Sequence, residues 1–166
     1  MERVRDKTTL LERLRAAKGC NLLLCDLDFL MSYNDELGHS IGDEALRAVE
    51  QVIEHIAPNS LRYGGDEFVI LADDGDRVGE DIRAGVENLN RRSPKLVSPA
   101  RLTISVGVAS RPANGNVDDW LAMAESALHA AKNAGRNRVC VIGSNGARVI
   151  NANRPAVEIR ADKRYS

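Results

Sequence analysis

The sequence predicts an α/β (α+β) fold, with a mixed central sheet of about five strands covered by helices. Three observations carry this expectation. Aliphatic runs of strand length alternate with amphipathic stretches at helical spacing along most of the chain. Two β-rich runs flank a Gly64-Gly65 pair in mid-chain, the pattern of a hairpin. The 166 residues suffice for one domain with its own core, and 43% apolar against 28% charged residues is globular composition.

The elements follow in order. Residues 7–17 place Leu10, Leu11 and Leu14 at helical spacing, with Lys18-Gly19 as the stop. Residues 20–27 form an aliphatic run that reads as a buried strand. A short helix over 29–37 precedes a longer one over 41–57, whose stripe of Ile41, Leu46, Val49, Val52, Ile53 and Ile56 ends at Pro58-Asn59. Strands over 60–63 and 67–72 then close a tight hairpin, its glycines expected to supply the positive φ of a primed turn. A helix over 76–92, a central strand over 102–109, an Ala-rich helix over 117–134 and a last strand over 138–142 complete the pattern. Strand, helix, hairpin, helix, strand is the order of ferredoxin-like and polymerase-palm sheets. Residues 1–142 are therefore read as the domain, and 143–166 as a mobile, mildly basic tail in which 156–159 has the pattern of an edge strand.

Composition excludes several functions. Lys plus Arg is 23 and Asp plus Glu 24, a formal charge of -1, so no basic excess drives nucleic-acid binding. The apolar run at Leu22-Leu23-Leu24 is far too short to cross a bilayer, and the charged N-terminus does not resemble a secretory signal. Cys20, Cys25 and Cys140 lack metal-ligand spacing and read as buried reduced thiols of a cytoplasmic protein.

Three clusters put charge where the apolar periodicity stops. Asp26-Leu27-Asp28 ends the first buried strand; oxygen ligands there suit a hard cation, and equally Asp28 suits the N-cap of the next helix. In Arg62-Tyr63-Gly64-Gly65-Asp66-Glu67-Phe68, two bare glycines admit a large ligand to the backbone, and two acids offer a metal ligand and a proton acceptor. The same string reads as a hairpin with solvated acids at its tip. Lys132 and Arg136, four apart at the end of the Ala-rich helix, form either a phosphate-gripping fork or favourable cations at a helix C-terminus.

Together, DLDFLMSYNDELGHSIGDEAL at 26–46, RYGGDEF at 62–68, TISVGVA at 103–109 and AKNAGRNRV at 131–139 resemble the GGDEF family, the diguanylate cyclases. Asp6-Lys7-Thr8-Thr9-Leu10-Leu11 is similar to that family's Asp-x-Leu-Thr-Gly-Leu start. The resemblance implies a palm-like nucleotidyl-cyclase fold and condensation of two GTP into cyclic di-GMP and two pyrophosphates, in a homodimer holding one GTP per subunit. It implies two Mg²⁺ or Mn²⁺ ions held by Asp26, Asp66 and the Leu27 carbonyl, with Asp66 or Glu67 favouring loss of the ribose 3′-proton. Asn34 and Asp43 would read the guanine edge with His39 nearby, and Gly64 and Gly65 would admit the substrate. Lys132, Arg136 and the main-chain N–H groups of Phe29, Leu30 and Met31 would hold the terminal phosphates.

Three departures qualify the match. The family carries Phe-Lys where this chain has Leu30-Met31, so a cation near the phosphates is missing. The Arg-x-x-Asp motif of product inhibition would fall on His55-Ile56-Ala57-Pro58, so no inhibitory site is expected. Only a short helix precedes the domain, so a separate regulatory partner is expected to bring two copies together. Two readings compete with the active enzyme: a degenerate domain that binds GTP or a cyclic dinucleotide as a sensor or interaction module, and a palm-type cyclase with another product.

Overall fold

In β2 (Asn21–Asp28), Leu23, Cys25 and Leu27 face one side of the sheet, and Leu22 and Leu24 the other. A strand that is apolar on both faces must lie between two layers, and it does. The computed structural model describes residues 1–4, 6–17, 21–92, 102–113, 115–143 and 146–150. Within them β2 pairs antiparallel with β4 (Glu67–Ala72) on one edge and with β5 (Thr103–Ser110) on the other. Outward from β4 lie β3 (Leu61–Arg62) and β1 (Glu2–Arg3); outward from β5 lie β6 (Val139–Gly143) and β7 (Gly146–Ile150).

The sheet thus has seven strands, in the order β1-β3-β4-β2-β5-β6-β7, against about five expected. The additional two are edge strands. β1 has two polar residues, too short for a period-two signal, and runs parallel to β3. β7 pairs antiparallel with β6 and carries the sheet past residue 142, where a tail was expected. Cys20 and the edge strand expected at 156–159 lie outside the described residues. Cys25 and Cys140 are free and buried, as read from the sequence.

Helices cover both faces. Against the first pack α2 (Leu30–Leu37), α3 (His39–Ile56) and α4 (Gly75–Arg92), with Tyr33, Val49, Ile53, Ile82 and Val86 meeting Phe68, Ile104 and Val106. Against the second pack α1 (Lys7–Ala16) and α5 (Val117–Asn133), with Leu10, Leu14, Trp120 and Leu121 on Leu22, Val69 and Ala109. Asp6 caps α1, its carboxylate accepting from the Thr9 amide at 2.8 Å, which holds its pKa below the ordinary carboxylate value. The aromatic-poor composition is compensated by close approach. A Cβ at Gly107 would lie 2.1 Å from the Leu128 amide nitrogen and 2.5 Å from the Ala124 carbonyl oxygen, so only glycine lets α5 lie this near β5.

Candidate functional site

The register of β2 and β4 places Asp26 directly opposite Glu67. Side chains opposite each other on an antiparallel pair stand about 4.5–5.5 Å apart at Cβ, and like charges there repel. The Leu27 amide donates to the Asp66 carbonyl at 3.2 Å, so the loop before β4 is docked on the end of β2 and brings Asp66 to the same place. Three acids therefore gather at the C-terminal end of the central strand. Burial is the main cause raising the Asp26 pKa, with Asp66 and Asp28 adding to it; the Lys132 ammonium, 2.8 Å from Asp26 Oδ1, opposes the rise. Glu67 is raised likewise by partial burial and by the charges of Asp26 and Asp66.

Such a site draws a cation. Among the described residues no three His, Cys, Asp or Glu side chains form a group able to hold a metal. The expected set asks for less, two carboxylates and the Leu27 main-chain oxygen. All-oxygen donors suit a hard divalent ion, and the ammonium drawn onto Asp26 shows which charge the site accepts.

Asp28 does something neither sequence reading foresaw. It is buried and does not cap α2, whose N-cap is Phe29 with no side-chain cap bond. Its Oδ1 accepts from Ser105 Oγ at 2.7 Å, and its Oδ2 from Thr103 Oγ1 at 2.8 Å and the Asn137 amide at 3.1 Å. The register would have shown this, because Thr103 and Ser105 lie opposite Asp28 and Asp26 on β5. A sequence does not display register.

The glycine pair also differs from expectation. Neither Gly64 nor Gly65 has positive φ, so the hairpin is not a primed two-residue turn. Residues 63–66 are long enough to turn without one. Buried Arg62 gathers the loop instead, its guanidinium donating to the Gly64 and Gly65 carbonyls and to Glu50. A Cβ at Gly65 would meet nothing within 4 Å, so the backbone there is open to a ligand.

The phosphate candidates are divided between two places. α5 ends at Asn133, and Arg136 lies beyond it in a turn with φ of 63°, its guanidinium 4.5 Å from the centre of the Phe29 ring. Lys132 sits instead on Asp26. Phe29, itself at φ 58°, and Met31 are exposed at the start of α2, where the first N–H groups have no intrahelical partner. Farther along α2, Asn34 meets the start of α3, which carries exposed His39 and Asp43. A Cβ at Gly42 would lie 1.6 Å from Asn34 Oδ1, an atom buried without a hydrogen-bond partner. A cleft of about 190 Å³ opens between α1, α5 and the hairpin, lined by Leu10, Tyr63, Glu67, Leu121, His129 and Lys132 among others. Asn34, His39 and Asp43 are not among its lining residues.

The model of the family described as "Diguanylate cyclase, GGDEF domain" matches residues 5–138. Diguanylate cyclase DgcM of Escherichia coli K12 is 36% identical over 137 residues, 78% of this chain and 32% of that protein. The crystal structure of the GGDEF domain of DgcB from Caulobacter crescentus, in complex with c-di-GMP, superposes with a TM-score of 0.64 at 31% identity, covering 84% of this chain and 85% of that one. Diguanylate cyclase SiaD of Pseudomonas aeruginosa, in complex with its activator SiaC, gives 0.67 at 27% identity over 84% of this chain and 61% of that one. The chain spans about a third of the length of the curated relatives it matches. By the family match and the shared palm-like fold, this chain belongs to the GGDEF domain family of diguanylate cyclases.

Proposed function

We propose that the chain is an active diguanylate cyclase domain, condensing two GTP into cyclic di-GMP and two pyrophosphates. The observation that carries this reading is the acid cluster at the end of β2, where Asp26 faces Glu67 across the ladder and Asp66 is docked on Leu27. In each half-reaction a ribose 3′-oxygen on one copy attacks the α-phosphorus of the GTP on the other, and the bond to pyrophosphate breaks. Two such steps close the ring, so two copies must face each other as a homodimer.

Each group then has a role. Asp26, Asp66 and the Leu27 carbonyl would hold Mg²⁺ or Mn²⁺, two per site, which would supply neutralisation of charge on the α-phosphate and favour loss of the 3′-proton. Glu67 or Asp66 accepts that proton; the raised pKa of Glu67 brings it nearer the operating pH, as a general base requires. Lys132, Arg136 and the first amides of α2 hold the terminal phosphates. Asn34 and Asp43 read guanine, with His39 beside them, and the unpartnered Asn34 Oδ1 supports a hydrogen bond to the base. Gly64 and Gly65 leave room for the nucleotide. His55–Pro58, at the end of α3, takes no part in feedback inhibition.

No helix among the described residues is long and apolar enough to cross a membrane. We place the domain in the cytoplasm, where GTP is supplied, and assign dimer formation to a separate regulatory partner. SiaD bound to its activator is the structural parallel. The test is a competition among four nucleoside triphosphates with Mg²⁺. Only GTP is consumed by the natural chain, and Asp66→Ala with Glu67→Ala consumes none. Asp43→Ser relaxes base choice by about tenfold, since a hydrogen bond to a charged carboxylate is worth about 1.5–3 kcal/mol and the variant loses it. Unchanged GTP preference in Asp43→Ser, or turnover surviving in the double variant, would refute the assignment.

A further inference from the structure

Two turns bracket the proposed phosphate site, and both are held in backbone conformations that side-chain-bearing residues rarely adopt. Phe29 has φ of 58° between β2 and α2; Arg136 and Asn137 have φ of 63° and 45° between α5 and β6. Such a residue costs roughly 1 kcal/mol or more unless its surroundings fix it. The fixing groups are visible. Asn137 is engaged through its amide N–H and both ends of its side-chain amide. Its amide N–H donates to Asp28 Oδ2 at 3.1 Å, its Nδ2 donates to Glu87 at 3.1 Å, and its Oδ1 accepts from Arg83 at 3.0 Å. Arg83 is 3% exposed and also donates to both oxygens of Glu80, at 2.8 and 2.9 Å, and to Glu87 at 3.0 Å. Asp28, also 3% exposed, is held by Thr103 and Ser105 and immediately precedes Phe29, over whose ring the Arg136 guanidinium lies.

We propose that Arg83, Asn137 and Asp28 are positioning residues that lock these two turns together and so aim Arg136 and the first amides of α2 at the terminal phosphates. None of the three touches substrate. The chain of bonds runs from α4, through the turn after α5, to the end of β2, so a helix remote from the acids sets the geometry of the phosphate grip. The inference rests on the reading of this site as a GTP site. The network ends on the backbone N–H of Asn137 in one turn and on the side chain of Asp28, the residue directly before Phe29, at the other, so it ties the two turns together as a core network serving stability alone need not. A network of that kind would also affect every ligand alike.

That difference gives the test. Asn137→Gly keeps the left-handed backbone and the N–H to Asp28, and removes only the side chain that ties the turn to Arg83 and Glu87. GTP and GMP affinities are measured by calorimetry in the presence of Ca²⁺, and melting is followed in parallel. The variant binds GTP about tenfold more weakly, the loss expected for one hydrogen bond to a charged group, while GMP changes by less than about twofold. Arg83→Lys keeps the charge but not the fork, and gives the same selective loss should the first variant fold poorly. Arg136→Ala weakens GTP in the natural chain but adds little on top of Asn137→Gly. Equal losses for GTP and GMP, unchanged GTP affinity, or additive effects would overturn the proposal. A natural chain that binds GTP no better than GMP would instead overturn the phosphate reading, and the inference with it.

Discussion

Replacing Glu67 with Gln should stabilise the fold. Asp26 and Glu67 face each other in register, and Asp66 lies beside them. Two unit charges about 6 Å apart repel by about 0.7 kcal/mol when fully screened by water, and by more where solvent is partly excluded. Lys132 at 2.8 Å from Asp26 offsets part of this, and Glu67 stands at the exposed rim. The net expectation is a gain of about 0.5–1 kcal/mol for Glu67→Gln at neutral pH. The pH dependence has a defined sign. The folded pKa of Glu67 is raised above its ordinary 4.5, so the native state binds more protons in that window and natural-chain stability falls as pH rises through it. The advantage of Gln is therefore complete above the raised value and gone below 4.5. Urea unfolding at pH 7 and pH 4, in low and high salt, measures both effects. The gap should also shrink in molar salt, where the screening length is about 3 Å. A Glu67→Gln variant equal to or weaker than the natural chain at pH 7 and low salt would refute the opposed-acid account.

Two further predictions follow from the same geometry. Met31 is 77% exposed at the start of α2, where the family carries lysine, so Met31→Lys should raise kcat/KM for GTP about three- to tenfold without altering the melting temperature, read by initial rates. Gly107→Ala drives a methyl group to 2.1 Å from backbone of α5, which cannot rotate away; about 3 kcal/mol of stability should be lost, a fall of roughly 10 °C in Tm.

Most of the fold was legible because its signals are local. The stripes of α3 and α4 and the aliphatic run of β2 mark themselves within a few residues, and their order fixes the layers. β1 and β7 were not legible, since edge strands of two and five residues owe their existence to a partner rather than to their own pattern. The acids of the site were legible as residues. That Asp26 and Glu67 would stand directly opposite was not, because register depends on pairing across distant segments. The same gap hid Asp28, which looked like a metal ligand or a helix cap and is instead buried, bonded to Thr103 and Ser105 on β5 and to the Asn137 amide. Arg62 carried no signal of its own in the sequence and is buried, holding the carbonyls of both glycines. The glycines were read both as turn formers and as openings for a ligand; neither has positive φ, and the space beside Gly65 is open.

The most direct test of the account is the mass of the product. The purified chain is incubated with GTP and Mg²⁺ or Mn²⁺ at protein concentrations high enough to populate dimers. The account predicts cyclic di-GMP with two pyrophosphates released per molecule, and none from Asp26→Asn, which folds but loses the carboxylate facing Glu67. GTP left intact at every concentration, or cyclic di-GMP still formed by Asp26→Asn, would contradict it.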